Sequence, residues 1–282
     1  MIKKAFNYLY DTRDRQRICI ALSKGGAMMQ ARNIDLTRPL TWEFSGFSQN
    51  GEDGILDVLR SQLLSKNSYF LEIGAGDGIE NNTGWLLVAE KNNGIMVDGN
   101  RKLIDRARRS VAAYCIGSQF INMFVTKETV KELLSKLLYQ NPDVFSLDID
   151  GNDYYIARQL FEAGFRPKIC VVEYNSVYGA DNSLTVEYKE DFSLKREHPT
   201  ELYYGVSITG WKNFFESIGY QFITVDSHGV NGFFIDPQYF CESFVNNVDG
   251  LLFSENLYQE MKFGMSSEDQ FLLIKNKNFY SI

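Results

Sequence analysis

The sequence predicts an α/β protein with a mostly parallel, doubly wound sheet, an antiparallel hairpin at one edge and a helical N-terminal extension. Short apolar strands alternate with amphipathic helices between about residues 69 and 175, which is typical of βαβ units. The first of these strands runs directly into three closely spaced glycines. The chain has 282 residues and is 44% hydrophobic, so it can bury a large core without disulfides or a structural metal.

Composition excludes several classes of protein. The 21 Phe, 16 Tyr and 3 Trp against five prolines exclude a disordered chain. The net charge is −7 and there is no large basic block, so we do not expect the protein to bind nucleic acid. No apolar run approaches the ~18 residues of a membrane span, and we expect a cytoplasmic protein.

The cysteines and histidines favour neither a zinc site nor a disulfide framework. The four cysteines are far apart without a CxxC pair, and the two histidines are separated by thirty residues. They are Cys19, Cys115, Cys170, Cys241, His198 and His228.

The elements can be assigned in chain order. Residues 1–45 are expected to form a helical extension, which the pair Gly25-Gly26 interrupts. Apolar residues at helical spacing predict a helix over 51–65. The alternating region then predicts strands at Tyr69–Ile73, Gly94–Val97, Tyr114–Ile116, Val144–Ile149 and Ile169–Glu173, with helices near 79–91, 100–111, 127–139 and 152–164.

The remainder predicts a lid or insert followed by the edge hairpin. Segment 176–200 is polar and too long for an ordinary connection. A helix near 207–218 precedes strands at Tyr220–Asp226 and Gly232–Ile235. We therefore expect an N-terminal extension (1–45), one domain (46–240) and a tail that packs on it (241–282).

The glycine turn indicates a ligand that carries positive charge. Gly74, Gly76 and Gly78 follow the GxGxG spacing, while the dinucleotide fingerprint is GxGxxG. Glu72 and Asp77 would repel a pyrophosphate but attract the sulfonium and ammonium groups of S-adenosylmethionine. A glycine-rich turn that binds no ligand is the alternative.

Asp98 is the expected ribose ligand. It ends the next strand, 20 residues after Gly78, where such folds place a carboxylate on the ribose hydroxyls. Its alternative role is to cap the helix that follows.

Acidic and amide side chains also follow the fourth and fifth strands. The carboxyl ends of neighbouring parallel strands lie together, so these groups could hold the donor's amino end, orient or deprotonate a hydroxyl, or bind Mg²⁺. At least one is expected simply to cap the next helix. The residues are Asp148, Asp150, Asn152, Asp153, Glu173 and Asn175.

With these motifs, the sequence resembles class I S-adenosylmethionine-dependent methyltransferases of the FkbM-like type over about residues 45–240. Many members act on sugars in capsule, glycan or natural-product biosynthesis. The segments that carry the resemblance are Ser48–Asp53, Glu72–Gly78 with Asn82-Thr83, Val97–Asn100, Leu147–Tyr154, Val172–Asn175, Tyr203–Ser207 and Gly229–Phe234.

The resemblance implies a Rossmann-like fold and O-methylation of a sugar or sugar nucleotide. It implies a donor site, an acceptor site and a tentative Mg²⁺ site. The donor residues would be Glu72, Gly74, Ala75, Gly76, Asp77, Asp98 and Asp148; the acceptor residues Asn152, Asn175 and Tyr204; the catalytic residues Asp150 and Glu173; and the metal ligands Asp148, Asp150 and Glu173. Independently of the resemblance, His198 is a candidate base, because it lies in the polar segment 176–200 and histidine has an ordinary pKa of about 6.5.

Two other functions remain open at this point. The chain could be an inactive methyltransferase-like module that serves as an assembly partner, or a nicotinamide-dependent sugar dehydrogenase. The retained acidic residues argue against the first, and the glycine spacing argues against the second. Assembly into a homo-oligomer is compatible with the sequence.

Overall fold

A seven-stranded sheet forms the centre of the protein. The computed structural model describes residues 2–111 and 115–282. The strands lie in the order β3-β2-β1-β4-β5-β8-β7; β1 to β5 are parallel, and β8 runs antiparallel to both neighbours. They are β1 (Tyr69–Ile73), β2 (Asn93–Asp98), β3 (Gln119–Asn122), β4 (Val144–Leu147), β5 (Ile169–Glu173), β7 (Gln221–Val225) and β8 (Asn231–Ile235).

Helices cover both faces of this sheet, as predicted. One core packs α2, α3 and α4 against one face, and a second core packs α5, α6 and α8 against the other. The helices are α1 (Ile2–Ala31), α2 (Glu52–Ser61), α3 (Gly84–Val88), α4 (Arg101–Ser110), α5 (Val130–Ser135), α6 (Asp153–Glu162), α7 (Leu194–Glu197), α8 (Ile208–Ser217), α9 (Glu242–Val245), α10 (Leu257–Phe263) and α11 (Ser267–Ile274).

The segment predicted as a polar insert is structured. Its strand β6 (Leu184–Val186) pairs antiparallel with β9 (Phe279–Ser281) near the end of the chain. Tyr178 and Val186 are buried in a small third core with residues of the tail. Among the described helices, none combines the length and apolar character that a membrane crossing requires.

The predicted strand Tyr114–Ile116 is wrong. Tyr114 lies outside the described residues, Cys115 and Ile116 form no strand, and the third strand is Gln119–Asn122. Ile116 is 94% exposed. The true strand lies at the sheet edge and begins and ends with polar residues, so a short apolar run was a misleading signal for it.

Three predicted boundaries also change. Helix α1 continues through Gly25-Gly26, and Gly25 lies directly against the ring of Trp85. Helix α3 starts at Gly84 instead of residue 79 because hydrogen bonds to Glu72 hold the backbone of Asn82 and Thr83 in a turn. Strand β4 ends at Leu147, which leaves the acidic residues after it in a loop.

Candidate active site

A cavity of about 510 Å³ lies at the carboxyl edge of the sheet, where β1 has β2 on one side and β4 on the other. Such a switch point is where open α/β sheets bind ligands, because the chain leaves the two strands in opposite directions. The lining residues are Ile73, Gly74, Asp98, Gly99, Asn100, Met123, Phe124, Val125, Asp148, Ile149, Asp150, Asn152 and Phe192.

The glycine turn is held close to the end of β4. Gly74 has φ +92°, and a Cβ there would lie 1.6 Å from the carbonyl oxygen of Asp148. Gly74 and Ala75 donate backbone hydrogen bonds to the carbonyl of Val97. Gly76 has φ +56° and faces open space, so the turn leaves room for a ligand beside it.

Asp98 lines the cavity and also fixes the turn. One carboxylate oxygen accepts from the Gly76 amide at 2.9 Å, and the other accepts from the Asn100 amide at 2.6 Å. The cap of α4 is Asn100, whose side chain accepts from the amide of Lys102. The alternative in which Asp98 caps the helix is therefore wrong.

Glu72 is buried, and its carboxylate supports the backbone after the glycine turn. Its carboxylate accepts from the Asn82 amide at 2.9 Å and from the amide and hydroxyl of Thr83. Burial raises the pKa of Glu72 to about 7, although these hydrogen bonds lower it. Glu72 thus holds the loop that follows the turn.

Asp77, which the sequence predicts to attract the donor, does not line the cavity. Its carboxylate lies 2.5 Å from Arg17 of α1 and 3.1 Å from Arg106 of α4, and it accepts from the amide of Ile79. The two guanidinium groups neutralise it, so the electrostatic argument from the sequence does not apply to this residue.

A polar recess of about 100 Å³ continues from the cavity at Gly74 and Asp148, which line both. Asn231, which is 4% exposed, donates to Glu52 at 2.8 Å. This contact fixes the orientation of the amide, and no described residue donates to its oxygen. The other lining residues are Gln49, Asn50, Glu52, Glu72, Glu80, Asn81, Asn82 and Val230.

Three carboxylates meet beside the cavity. One oxygen from each of Asp148, Asp150 and Glu173 lies within 4.8 Å of the others. Asp150 has φ +59°, a left-handed conformation that is uncommon outside glycine and often marks a functional loop. One oxygen of Glu173, Oε2, is buried, and no described residue donates to it.

Burial, followed by nearby negative charge, raises the pKa of all three carboxyl groups. Burial raises the pKa of Asp148 and of Glu173 well above the usual range, and the mutual negative charge raises both further. Asp150 has an exposed position, but desolvation by the surrounding walls and then the charges of Glu201 and Asp98 raise its pKa. The cluster is therefore suited to share a proton or to bind a cation.

The predicted side-chain cap of α6 is not present, because the N-cap residue, Asn152, makes no capping hydrogen bond. Asp153, the first residue of α6, instead holds the loop that precedes the helix. Its carboxylate accepts from the amides of Ile149 and Gly151 at 2.9 and 2.8 Å. Asn152 lines the cavity, but its amide exchanges two hydrogen bonds with the backbone of Lys189. Asn152 thus ties the loop after β4 to the segment that contains Phe192.

Asn175, Tyr204 and His198, which were expected on the acceptor side, do not line the cavity either. Asn175 is fully buried; it donates to the carbonyls of Leu202 and Tyr204 and caps a short 3₁₀ helix. The Tyr204 hydroxyl is buried and accepts from Gln259 at 3.0 Å. His198 contacts Thr200 through Nδ1 at 2.7 Å and does not line the cavity.

The sequence did not reveal the apolar walls. Met123, Phe124 and Val125 follow β3, and Phe192 comes from the segment before α7. Because the third strand was predicted several residues too early, the loop after it was missed. A search for the first apolar residues after the true β3 would have found this wall.

No protein-family model and no curated protein matches the sequence. The O-methyltransferase from Bacillus cereus, solved with S-adenosylhomocysteine, is 14% identical, with a TM-score of 0.42 over 78% of this chain and 89% of that one.

Two further solved structures are similar at the same level. The O-methyltransferase TomG from Streptomyces achromogenes, involved in tomaymycin synthesis, is 16% identical, with a TM-score of 0.40 over 76% of this chain and 87% of that one. A methyltransferase from Clostridium acetobutylicum is 11% identical, with a TM-score of 0.39 over 64% and 88%. Such distant similarities do not assign an activity to this chain.

Proposed function

We propose that this protein is an S-adenosylmethionine-dependent O-methyltransferase that acts on a hydroxyl of a sugar or sugar nucleotide. One observation carries the proposal: a single cavity joins Asp98, at the glycine turn, to Asp148 and Asp150, at the end of the neighbouring strand. A site for a positively charged nucleoside and a set of proton acceptors are thus contiguous.

The cavity suits the donor's adenosine end. Asp98 accepts one backbone hydrogen bond on each oxygen, and each oxygen keeps a further lone pair for a ribose hydroxyl. The apolar wall of Met123, Phe124 and Val125 lines the same cavity and suits the adenine ring. The open space beside Gly76 would accommodate the ligand.

The recess suits the donor's amino-acid end. It contains carboxylates that attract an ammonium group and the unpaired oxygen of Asn231 that requires a hydrogen-bond donor. A nicotinamide dinucleotide fits less well, because its pyrophosphate would approach Asp98 and Asp148 without a described cation among the residues that line the cavity.

When bound, S-adenosylmethionine supplies a methyl group to the acceptor oxygen, and the electrons of the broken S–C bond remain on sulfur. The protein must align the hydroxyl and remove its proton. Asp150 is the proposed base, because its carboxylate lines the cavity and its raised pKa brings it nearer to neutrality. The proton passes from the acceptor hydroxyl to this carboxylate.

In an alternative mechanism, a bound divalent cation would activate the acceptor hydroxyl. Asp148, Asp150 and Glu173 offer oxygen ligands close to one another, and Glu173 has an unpaired buried oxygen. These residues would hold Mg²⁺, which when bound would lower the pKa of the acceptor hydroxyl. Without a cation, the proximity of Asp148 and Glu173 requires a shared proton.

The acceptor class rests on the resemblance to FkbM-like enzymes. Capsule or glycan biosynthesis, a cytoplasmic location and a homo-oligomeric state remain predictions from the sequence. Assays of methyl uptake by nucleotide-activated hexoses and heptoses would identify the acceptor.

The donor site is tested by calorimetry with S-adenosylhomocysteine and NAD. We expect only the first to bind, and we expect Asp98→Ala to weaken it at least about tenfold, since two charge-assisted hydrogen bonds to the ribose are lost. Asp105→Ala is the matched control, because Asp105 pairs with Arg101 and Arg108 on α4 outside the cavity. Binding of NAD alone would favour the dehydrogenase, and no binding of either would favour the inactive module.

The acceptor side is tested with Asp150→Asn, which should reduce turnover about 10²–10⁴-fold with little change in donor affinity. Loss of wild-type activity in EDTA, with recovery in Mg²⁺, would favour the metal version; indifference to EDTA would favour proton transfer. Unchanged turnover in both Asp150→Asn and Glu173→Gln would contradict the assignment.

A further inference from the structure

A network of charged side chains joins the N-terminal helix to the glycine turn. Arg17 of α1 lies 2.5 Å from Asp77 in the turn and 3.1 Å from Glu80 just after it. Arg106 of α4 lies 3.1 Å from the same Asp77 and also donates to Asp14 of α1, at 2.9 Å from its Nε. Asp77 is thus held by two helices at once.

The centre of this network is buried. Asp14 is 1% exposed and accepts hydrogen bonds from Arg106 and from the hydroxyl of Ser110. Burial alone would raise the pKa of Asp14, but the hydrogen bonds from Arg106 and Ser110 and the charges of Arg106 and Arg17 together lower it. The Asp14 carboxylate is therefore ionised near neutral pH.

The turn needs such support because its glycines allow many backbone conformations. Asp77 lies between Gly76 and Gly78, which have φ +56° and +72°. Glycine occupies many backbone conformations with similar energy, so a turn with two such residues is weakly specified by its own sequence. Asp98 holds the amide of Gly76 from the cavity side, and the arginines hold Asp77 from the opposite side.

We propose that α1 is part of the donor site: Arg17 and Arg106, by holding Asp77, keep the glycine turn in the conformation that binds S-adenosylmethionine. Both are positioning residues, and neither lines the main cavity. The inference rests on the proposed function, because it assumes that the turn binds the donor.

A positioning role differs from a purely structural role in its effect on affinity. If the arginines only stabilise the fold, their loss lowers the unfolding temperature and leaves the affinity of the folded protein unchanged. If they select the conformation of the turn, the apparent dissociation constant rises as the inverse of the fraction of molecules that keep that conformation.

The test measures S-adenosylhomocysteine binding to the full-length protein by calorimetry, well below the unfolding temperature. We expect Arg17→Ala to weaken binding about tenfold, as when one molecule in ten keeps the binding conformation. Arg17→Lys, which keeps the charge, should recover part of the affinity. Arg15→Ala is the control, because Arg15 is an exposed basic residue on the same helix.

A double-mutant cycle separates coupling from general damage. If Arg17 acts through Asp77, adding Arg17→Ala to Asp77→Asn should change the affinity much less than Arg17→Ala does alone. Wild-type affinity in Arg17→Ala, or additive effects in the cycle, would overturn the inference. If Arg17→Ala does not fold, the test uses Asp77→Asn, which removes the charge that both arginines hold, and wild-type affinity in that variant overturns the inference.

The failure of the proposed function has a different signature. In that case the wild-type protein itself does not bind S-adenosylhomocysteine. If the wild type binds S-adenosylhomocysteine and the arginine variants bind it with the same affinity, the donor site stands and the positioning role is rejected.

Discussion

Gly74 and Gly76 lie two residues apart and both have left-handed backbone conformations, but different surroundings require glycine at each. At Gly74 a Cβ would collide with the carbonyl oxygen of Asp148, which is backbone and has little freedom to move. At Gly76 no heavy atom outside its chain neighbours lies within 4 Å of such a Cβ. The first glycine is needed for packing, and the second leaves space for a ligand.

We therefore predict opposite outcomes for substitutions at these two positions. Gly74→Ala should prevent stable folding, because β1 and β4 would have to separate. Gly76→Val should fold, with a strain of about 1–2 kcal/mol from the left-handed backbone, and should lose S-adenosylhomocysteine binding. Denaturant unfolding and calorimetry measure the two effects, and normal binding by Gly76→Val would show that the turn does not contact the donor.

Sequence spacing predicted positions along strands better than side-chain directions. Asp98, Asp148 and Asp150 line the cavity because strand ends fix where they lie. Asp77 and Asn175 were predicted from the same motifs but point elsewhere. Their directions depend on partners distant in sequence, such as Arg17 and Leu202, which a local motif does not contain.

At the scale of elements, the two glycines within α1 provide a matched pair. A Cβ at Gly25 would lie 2.4 Å from the ring of Trp85, whereas a Cβ at Gly26 would meet nothing within 4 Å. Gly25-Gly26, which the sequence predicts to interrupt the helix, therefore marks the point where α1 crosses close to α3. A helix interior tolerates this glycine because the packing requires it.

We predict that Gly26→Ala stabilises the protein by up to about 1 kcal/mol, the difference in helix propensity between the two residues. Gly25→Ala should destabilise it, because α1 would move away from Trp85. Urea unfolding of the two variants checks the signs. Equal effects at both positions would mean that α1 does not cross α3 as described.

The alternating pattern also predicted most strands and helices, because buried parallel strands read as short apolar runs. It failed for β3, an edge strand that shows no continuous apolar run. It also missed β6 and β9, whose three-residue strands pair across almost a hundred residues. Such pairing depends on the assembled core and leaves no periodic signal in either segment.

At the scale of the whole molecule, several carboxyl groups are buried and hold the backbone of loops. Burial raises the pKa of Asp53 to about 7, although the amides of Ser48, Gly46 and Phe47 lower it. Burial also raises the pKa of Glu72 to about 7 and that of Asp153 to about 6. In the unfolded chain these groups have ordinary pKa values near 4.

We predict that stability falls as the pH rises from about 4 to 7. Between the unfolded and folded pKa values the folded protein binds more protons, so each such group lowers the free energy of unfolding by up to about 1.4 kcal/mol per pH unit. Urea unfolding at intervals of half a pH unit measures this slope, and Asp53→Asn should reduce it. Stability that rises over this range would contradict the assigned pKa directions.

The position of β1 in the sheet also has a consequence for the order of events in folding. Its partner β2 follows within about twenty-five residues, but its other partner, β4, begins more than seventy residues later. Contacts of such long sequence separation close late because the intervening chain must first be ordered. The candidate site lies where β1 meets β4, so we expect the capacity to bind ligand to be acquired late in refolding.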